Sequence, residues 1–251
     1  MRKLIVACVL LLVTSIGVQA SEEAASLRFV TQDFPPFSYA ENGKAAGPFK
    51  DIADAVCKEA GLECPVVVLP WGRAQDLVRK GGADVLFPIG WNKDRGEWLR
   101  PSSAVVRTEY GFFANAGSGY TYAAEEDLMG RKIGVYGPSN TSHLLHTLWK
   151  RLKWFTIDMR PDSESGFFKL GKRRVDLVFS NVDVGKAIIR QNGIQDVVYA
   201  GTYQSVEYVF GFTLVDSKQE YINKFLVAFE TLKKRGVVSK VLLGYGLHPA
   251  P

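Results

Sequence analysis

The side chains best suited to grip a small molecule are an arginine, a short run of hydroxyl and amide residues, and a set of aromatics. Arg95 lies in the segment Trp91-Asn92-Lys93-Asp94-Arg95. A guanidinium presents two parallel N–H donors that match the two oxygens of a carboxylate, a geometry lysine lacks. The competing reading is a surface arginine paired with Asp94 or Glu97. Ser139, Asn140 and Thr141 precede an apolar-periodic segment that starts at Ser142. At a helix start, their amides and side chains can hold an anion at the positive helix end, or cap it, and both roles can coexist. Phe34, Tyr39 and Trp71 are candidates for a cleft wall; for Phe37, core packing is an equal reading. Arg73, in Pro70-Trp71-Gly72-Arg73, is either a second cationic contact or a solvated residue of a first helical turn.

Other chemistries are poorly served. His143 and His146 are three apart on a helical segment, whereas helical metal ligands usually stand four apart, so both read as helix-surface residues. The chain contains no Gly-x-Ser-x-Gly elbow and no phosphate-binding glycine loop. No metal and no cofactor are therefore expected. Lys150-Arg151-Leu152-Lys153 and Lys172-Arg173-Arg174 are short basic clusters without interleaved aromatics, read as solvated surface rather than as a nucleic-acid site.

The first twenty residues predict export. Met1-Arg2-Lys3 gives a positive start, Leu4 to Val13 an apolar run, and Val18-Gln19-Ala20 a small-x-small end. This is the pattern of a secretory signal peptide cut after Ala20, leaving a mature chain in the periplasm. Cleavage removes two positive residues and no acidic ones, so the net charge falls from +5 to +3. A mild positive balance favours anionic solutes. Cys8 leaves with the signal, and Cys57 and Cys64 remain. An even pair in an oxidising compartment suggests a disulfide, with two buried thiols as the alternative.

The elements that must carry these residues alternate. Leu27–Thr31, Pro65–Leu69 and Ala83–Phe87 read as strands, with helices over Phe49–Ala60 and Gly72–Lys80 between them. The pattern restarts with strands at Tyr110–Asn115, Lys132–Tyr136 and Val175–Phe179, and helices from Ser142, at Gly166–Leu170 and through Ile189. A long strand, Val206–Val215, and an amphipathic helix, Lys218–Lys234, end the pattern. Alternating strand and helix predict an α/β protein with parallel sheets, whose ligands sit beyond the carboxyl ends of the strands. Two lobes are expected, 26–112 with 208–251, and 116–205, joined by crossing strands near 109–116 and 206–213.

Pro35-Pro36-Phe37, the helix after Gly47, Val85 to Arg95, Gly134 to Thr141, Val175-Asp176 to Asn181 and the Lys233–Gly236 helix end, in this order, resemble the extracellular solute-binding proteins of family 3. The resemblance spans the mature chain. It implies the two-lobed type II periplasmic-binding-protein fold, a monomer that closes by hinge bending around a polar amino acid or related small molecule, and delivery to the membrane permease of an ABC importer. It also implies a carboxylate clamp at Arg95, a supporting backbone amide at Gly90, and an aromatic stack at Trp71. Two positions depart from the family pattern. Asn181 and Thr31 stand where the family usually has acidic side chains that hold the ligand's cationic groups. A ligand ammonium in a closed, dry cleft would then lack its counter-charge, unless Asp33 or Asp183 substitutes. A carboxylate without an ammonium, or a modified amino acid, becomes a candidate. The rivals are a periplasmic lyase on the same fold, similar to cyclohexadienyl dehydratase, and a ligand sensor for a membrane receptor. The first lacks an evident cleft acid or base, so an enzyme is not expected.

Overall fold

A computed structural model describes residues 25–251, and the expected signal segment lies outside them. The described chain opens with β1 (Phe29–Thr31) and a hairpin of β2 (Tyr39–Glu41) and β3 (Lys44–Ala46). The hairpin turn, Asn42-Gly43, has φ of 51° and 75°. An Asn-Gly pair with two positive φ values is the strongest short hairpin signal. Helix α1 (Pro48–Ala60) carries Pro at its start, and Phe49, Ile52, Ala53 and Val56 recur at helical spacing on its buried face. Gly47, at φ 101°, cannot carry a side chain, because a Cβ there would stand 3.0 Å from both the Phe37 carbonyl oxygen and the Tyr39 ring. Gly61 stops the helix in the left-handed conformation.

The chain continues through β4 (Val66–Val68), α2 (Trp71–Arg79), β5 (Val85–Gly90), the one-turn α3 (Lys93–Gly96), β6 (Leu99–Pro101) and β7 (Val106–Asn115). It then forms β8 (Lys132–Tyr136), α4 (Asn140–Leu152), β9 (Thr156–Arg160), α5 (Glu164–Gly171), β10 (Leu177–Asn181) and α6 (Val182–Gln191). The last elements are β11 (Val197–Thr213), α7 (Gln219–Lys234), α8 (Val237–Gly244) and β12 (His248–Pro249).

The main sheet runs β4-β1-β5-β11-β7-β10-β8-β9. β1 is parallel to β4 and β5, and β8 is parallel to β10 and β9. Between these two parallel ends lie β11 and β7, antiparallel to each other and to their outer neighbours. The expected alternation is therefore present at each end. The two crossing strands are longer than expected. β7 begins at Val106, and β11 begins at Val197 rather than near 206. Irregularities in the β7–β11 register at Tyr199/Gly201 and Thr202/Gln204 break the period-two alternation that would have marked the extra length. β11 pairs with β7 over Val197–Tyr208 and with β5 over Tyr208–Phe212, so one strand serves both ends.

The core is rich in aromatics. Phe29, Phe49, Phe87, Phe210 and Phe225 pack mostly edge-to-face or tilted at one end, with Phe49 and Phe87 stacked and neighbouring centroids such as Phe49–Phe210 at 5.3 Å. Phe112, Phe113, Phe167, Phe179 and Tyr199 do the same at the other. Phe37 belongs to the first group: it is fully buried and edge-on to Phe49. Cys57 and Cys64 form a disulfide, with Cα atoms 6.2 Å apart, tying α1 to the start of β4. Among the described residues no helix is long and apolar enough to cross a membrane.

Candidate ligand-binding site

A cleft opens where the carboxyl ends of β1, β5, β8 and β10 meet. Strand register places its floor: Tyr208 of β11 lies opposite Gly90 of β5, and Tyr110 of β7 lies opposite Asn181 of β10. The two phenol rings have centroids 6.3 Å apart. Burial pushes both hydroxyls above the ordinary tyrosine range, so both are neutral donors at neutral pH. Gly90 is required here, because a Cβ would lie 2.7 Å from the Tyr110 hydroxyl and 3.0 Å from Asn140 Nδ2.

Arg95 reaches the cleft from α3. The fold of this turn is local: Asn92 caps it, its Oδ1 accepting the Arg95 amide at 2.9 Å. The Arg95 side chain is only 7% exposed, lies 5.5 Å from the centre of the Trp71 ring and donates to the Gly90 carbonyl. Among the described residues no carboxylate forms an ion pair with it; the surface pairing with Asp94 or Glu97 is not made. Burial lowers its pKa, partly offset by the two tyrosines. A guanidinium desolvated this way, without an anion, costs several kcal/mol that an anionic partner would offset.

Two helix starts face Arg95. Ser139 caps α4, its Oγ accepting the Ser142 amide at 3.1 Å while donating to the Tyr136 carbonyl at 2.6 Å. Asn181 caps α6, its Oδ1 accepting the amides of Asp183 and Val184 at 2.9 and 3.1 Å. Its Nδ2 donates to Thr108 Oγ1 at 3.0 Å and to Tyr208 Oη at 3.1 Å. Both ends of the Asn181 amide are thus engaged by the protein. The positive ends of α4 and α6 and the Arg95 cation converge on one small space.

Eight of the sequence-predicted residues line this inner cavity: Phe34, Trp71, Gly90, Arg95, Ser139, Asn140, Thr141 and Asn181. Tyr39 lines a wider outer cavity that shares Phe34, Trp71 and Tyr136 with the inner one. Thr31 and Arg73 line neither. Thr31 is fully buried and donates to the Phe87 carbonyl at 2.6 Å, so its hydroxyl is spent on the sheet. Arg73 points outward from α2 and is exposed. Of the suggested substitute acids, Asp183 accepts from Thr108 and lines neither cavity, whereas Asp33 lines the outer one. Sequence reasoning missed Gln32, Tyr110, Tyr136, Ser163, Val184 and Tyr208. Gln32 and Tyr136 join the two sides of the cleft through a 3.2 Å hydrogen bond, as Asn92 and Asn140 do at 2.9 Å.

A sequence model of the bacterial extracellular solute-binding proteins, family 3, matches residues 27–248. An arginine-binding periplasmic protein of Mannheimia haemolytica is 23% identical over 235 residues, covering 92% of this chain and 95% of that one. Among solved structures, a histidine kinase sensor domain with similarity to periplasmic binding proteins superposes with a TM-score of 0.80 at 20% identity, covering 90% of this chain and 98% of that one. An ancestral arginine-binding protein bound to arginine gives a TM-score of 0.77 at 24% identity, covering 88% of this chain and 98% of that one. The structural likenesses establish a periplasmic-binding-protein fold, and the sequence match extends over nearly all described residues: the chain belongs to the bacterial extracellular solute-binding proteins, family 3.

Proposed function

We propose that this protein is a monomeric periplasmic receptor that captures a small carboxylate-bearing solute, an amino acid or a related compound, and delivers it to the membrane permease of an ABC importer. The observation that carries the reading is Arg95: a cation 7% exposed, in a cleft, with no carboxylate partner among the described residues. The ligand's carboxylate takes the guanidinium fork, with the α4 and α6 starts behind it. Two lobes, 26–112 with 208–251, and 116–205, close on the ligand by bending where β11 passes from β7 to β5. Capture is favoured over turnover because, among the described residues, no histidine and no carboxylate lines the inner cavity, and its tyrosines are held neutral at ordinary pH.

A thermal-shift screen of the purified protein tests this. A ligand at a hundred times its dissociation constant adds about 2.7 kcal/mol. A carboxylate is expected to raise Tm, and Arg95→Ala to abolish the rise. A ligand that still shifts Arg95→Ala by the full amount contradicts the clamp. Loss of uptake of the same solute on deletion of the gene separates the importer from a membrane sensor.

A further inference from the structure

The charges around the cleft are sorted by depth. The inner cavity, about 40 Å³, is lined among the described residues by a single charged side chain, Arg95. A water needs roughly 10–15 Å³ measured this way, so the space suits a group of carboxylate size. The inner cavity passes Phe34, Trp71 and Tyr136 into an outer cavity of about 650 Å³. There, among the described residues, the charged lining is Asp33, Asp162 and Glu164, with no lysine or arginine. None of the three is in an ion pair among the described residues.

The sorting restricts what can sit beside the ligand's carboxylate. An ammonium on the neighbouring carbon would enter the inner cavity next to Arg95 and two positive helix ends. The Asn181 carbonyl oxygen already accepts two amides, and the Gly90 carbonyl accepts Arg95. Among the described residues no carboxylate lines this space to offset the desolvation of a second cation. A cation several bonds away would instead reach the outer cavity, where Asp33 and Glu164 stand beside Asp162, whose oxygens accept the Glu164 and Ser165 amides and the Ser165 hydroxyl at the start of α5.

We infer that the ligand is a dipolar acid with separated charges: a carboxylate on Arg95, no ammonium on the adjacent carbon, and an amino or guanidino group at the far end among Asp33, Asp162 and Glu164. The inference rests on the Arg95 reading above and adds the ligand's class to it.

Three compounds of one skeleton test it by calorimetric titration of the purified protein: 5-guanidinopentanoate, L-arginine, which adds the α-ammonium, and pentanoate, which lacks the distal cation. The guanidino acid is expected to bind at least tenfold tighter than either of the others. The variant Asp33→Asn/Asp162→Asn/Glu164→Gln, checked for unchanged Tm, should weaken the guanidino acid at least tenfold and pentanoate less than twofold. Arginine binding as tightly as the guanidino acid, or no binding by any of the three, overturns the inference. If arginine wins and Arg95→Ala abolishes its binding, the receptor reading stands and this one falls. If the guanidino acid binds Arg95→Ala undiminished, the receptor reading itself falls.

Discussion

Arg95 and Ser139 face one cavity from opposite ends of the sheet, and they represent two ways of presenting positive charge. At the β4-β1-β5 end, α1 and α2 start at Gly47 and Pro70 without side-chain caps, and the charge comes from one guanidinium. At the β10-β8-β9 end, α4 and α6 start at Ser139 and Asn181, both side-chain capped, and the charge is spread over backbone amides. A full charge on a side chain can be deleted by one substitution. Partial charges on amides can only be displaced by disturbing the helix start. The same division runs through stability: the first end carries the Cys57–Cys64 bridge, the second relies on its caps and on Asp158.

Asn181→Ala is the most severe single test of the second end. It removes a cap and the amide that donates to the Thr108 and Tyr208 hydroxyls, which keep Asp183 and Tyr110 as partners, an expected loss of about 3 kcal/mol in urea unfolding. A loss below 1 kcal/mol would mean that the amide is not the structural tie described above. Replacing the disulfide with Cys57→Ser/Cys64→Ser should cost about 2–3 kcal/mol by the loop-entropy argument. Ligand affinity should stay within twofold, because neither cysteine lines the cleft. A large affinity change would show that the two ends are less separable than the architecture implies. Ser139→Ala should cost about 1 kcal/mol, while Ser139→Asp keeps the cap and most of the stability. The last test is acid sensitivity. Burial alone would raise the Asp158 carboxyl, but hydrogen bonds from Arg160 and Lys169 override it and hold the pKa at about 2. The folded form then binds this proton more weakly than the unfolded form. The stabilisation is complete above pH ~4 and lost as pH falls toward 2. Asp158→Asn should flatten that part of the stability profile.

Much of this was legible in the sequence because it is local. The α1 stripe, the Gly61 stop, the Ser139 cap and the cysteine pair each need only a few neighbouring residues. Arg95 was visible as chemistry, although its burial was not. The Asn42-Gly43 hairpin carried a clear signal that the alternation of longer elements obscured. Tyr110 and Tyr208 could not be read as cleft residues, since only the pairing of β7 with β10, and of β11 with β5, decides where they stand. Thr31 illustrates the converse: its match to a family position placed it in the site, and a hydrogen bond to the Phe87 carbonyl removes it.

The links across the cleft, Asn92 to Asn140 and Gln32 to Tyr136, are made entirely by uncharged groups. Ionic strength therefore has little purchase on the rate at which the mouth releases its contents. A carboxylate approaching Arg95 from solvent does feel the screening. Added salt should leave residence time nearly unchanged, and its effect on affinity enters through capture, where screening acts on Arg95 and on the acidic outer lining in opposite senses.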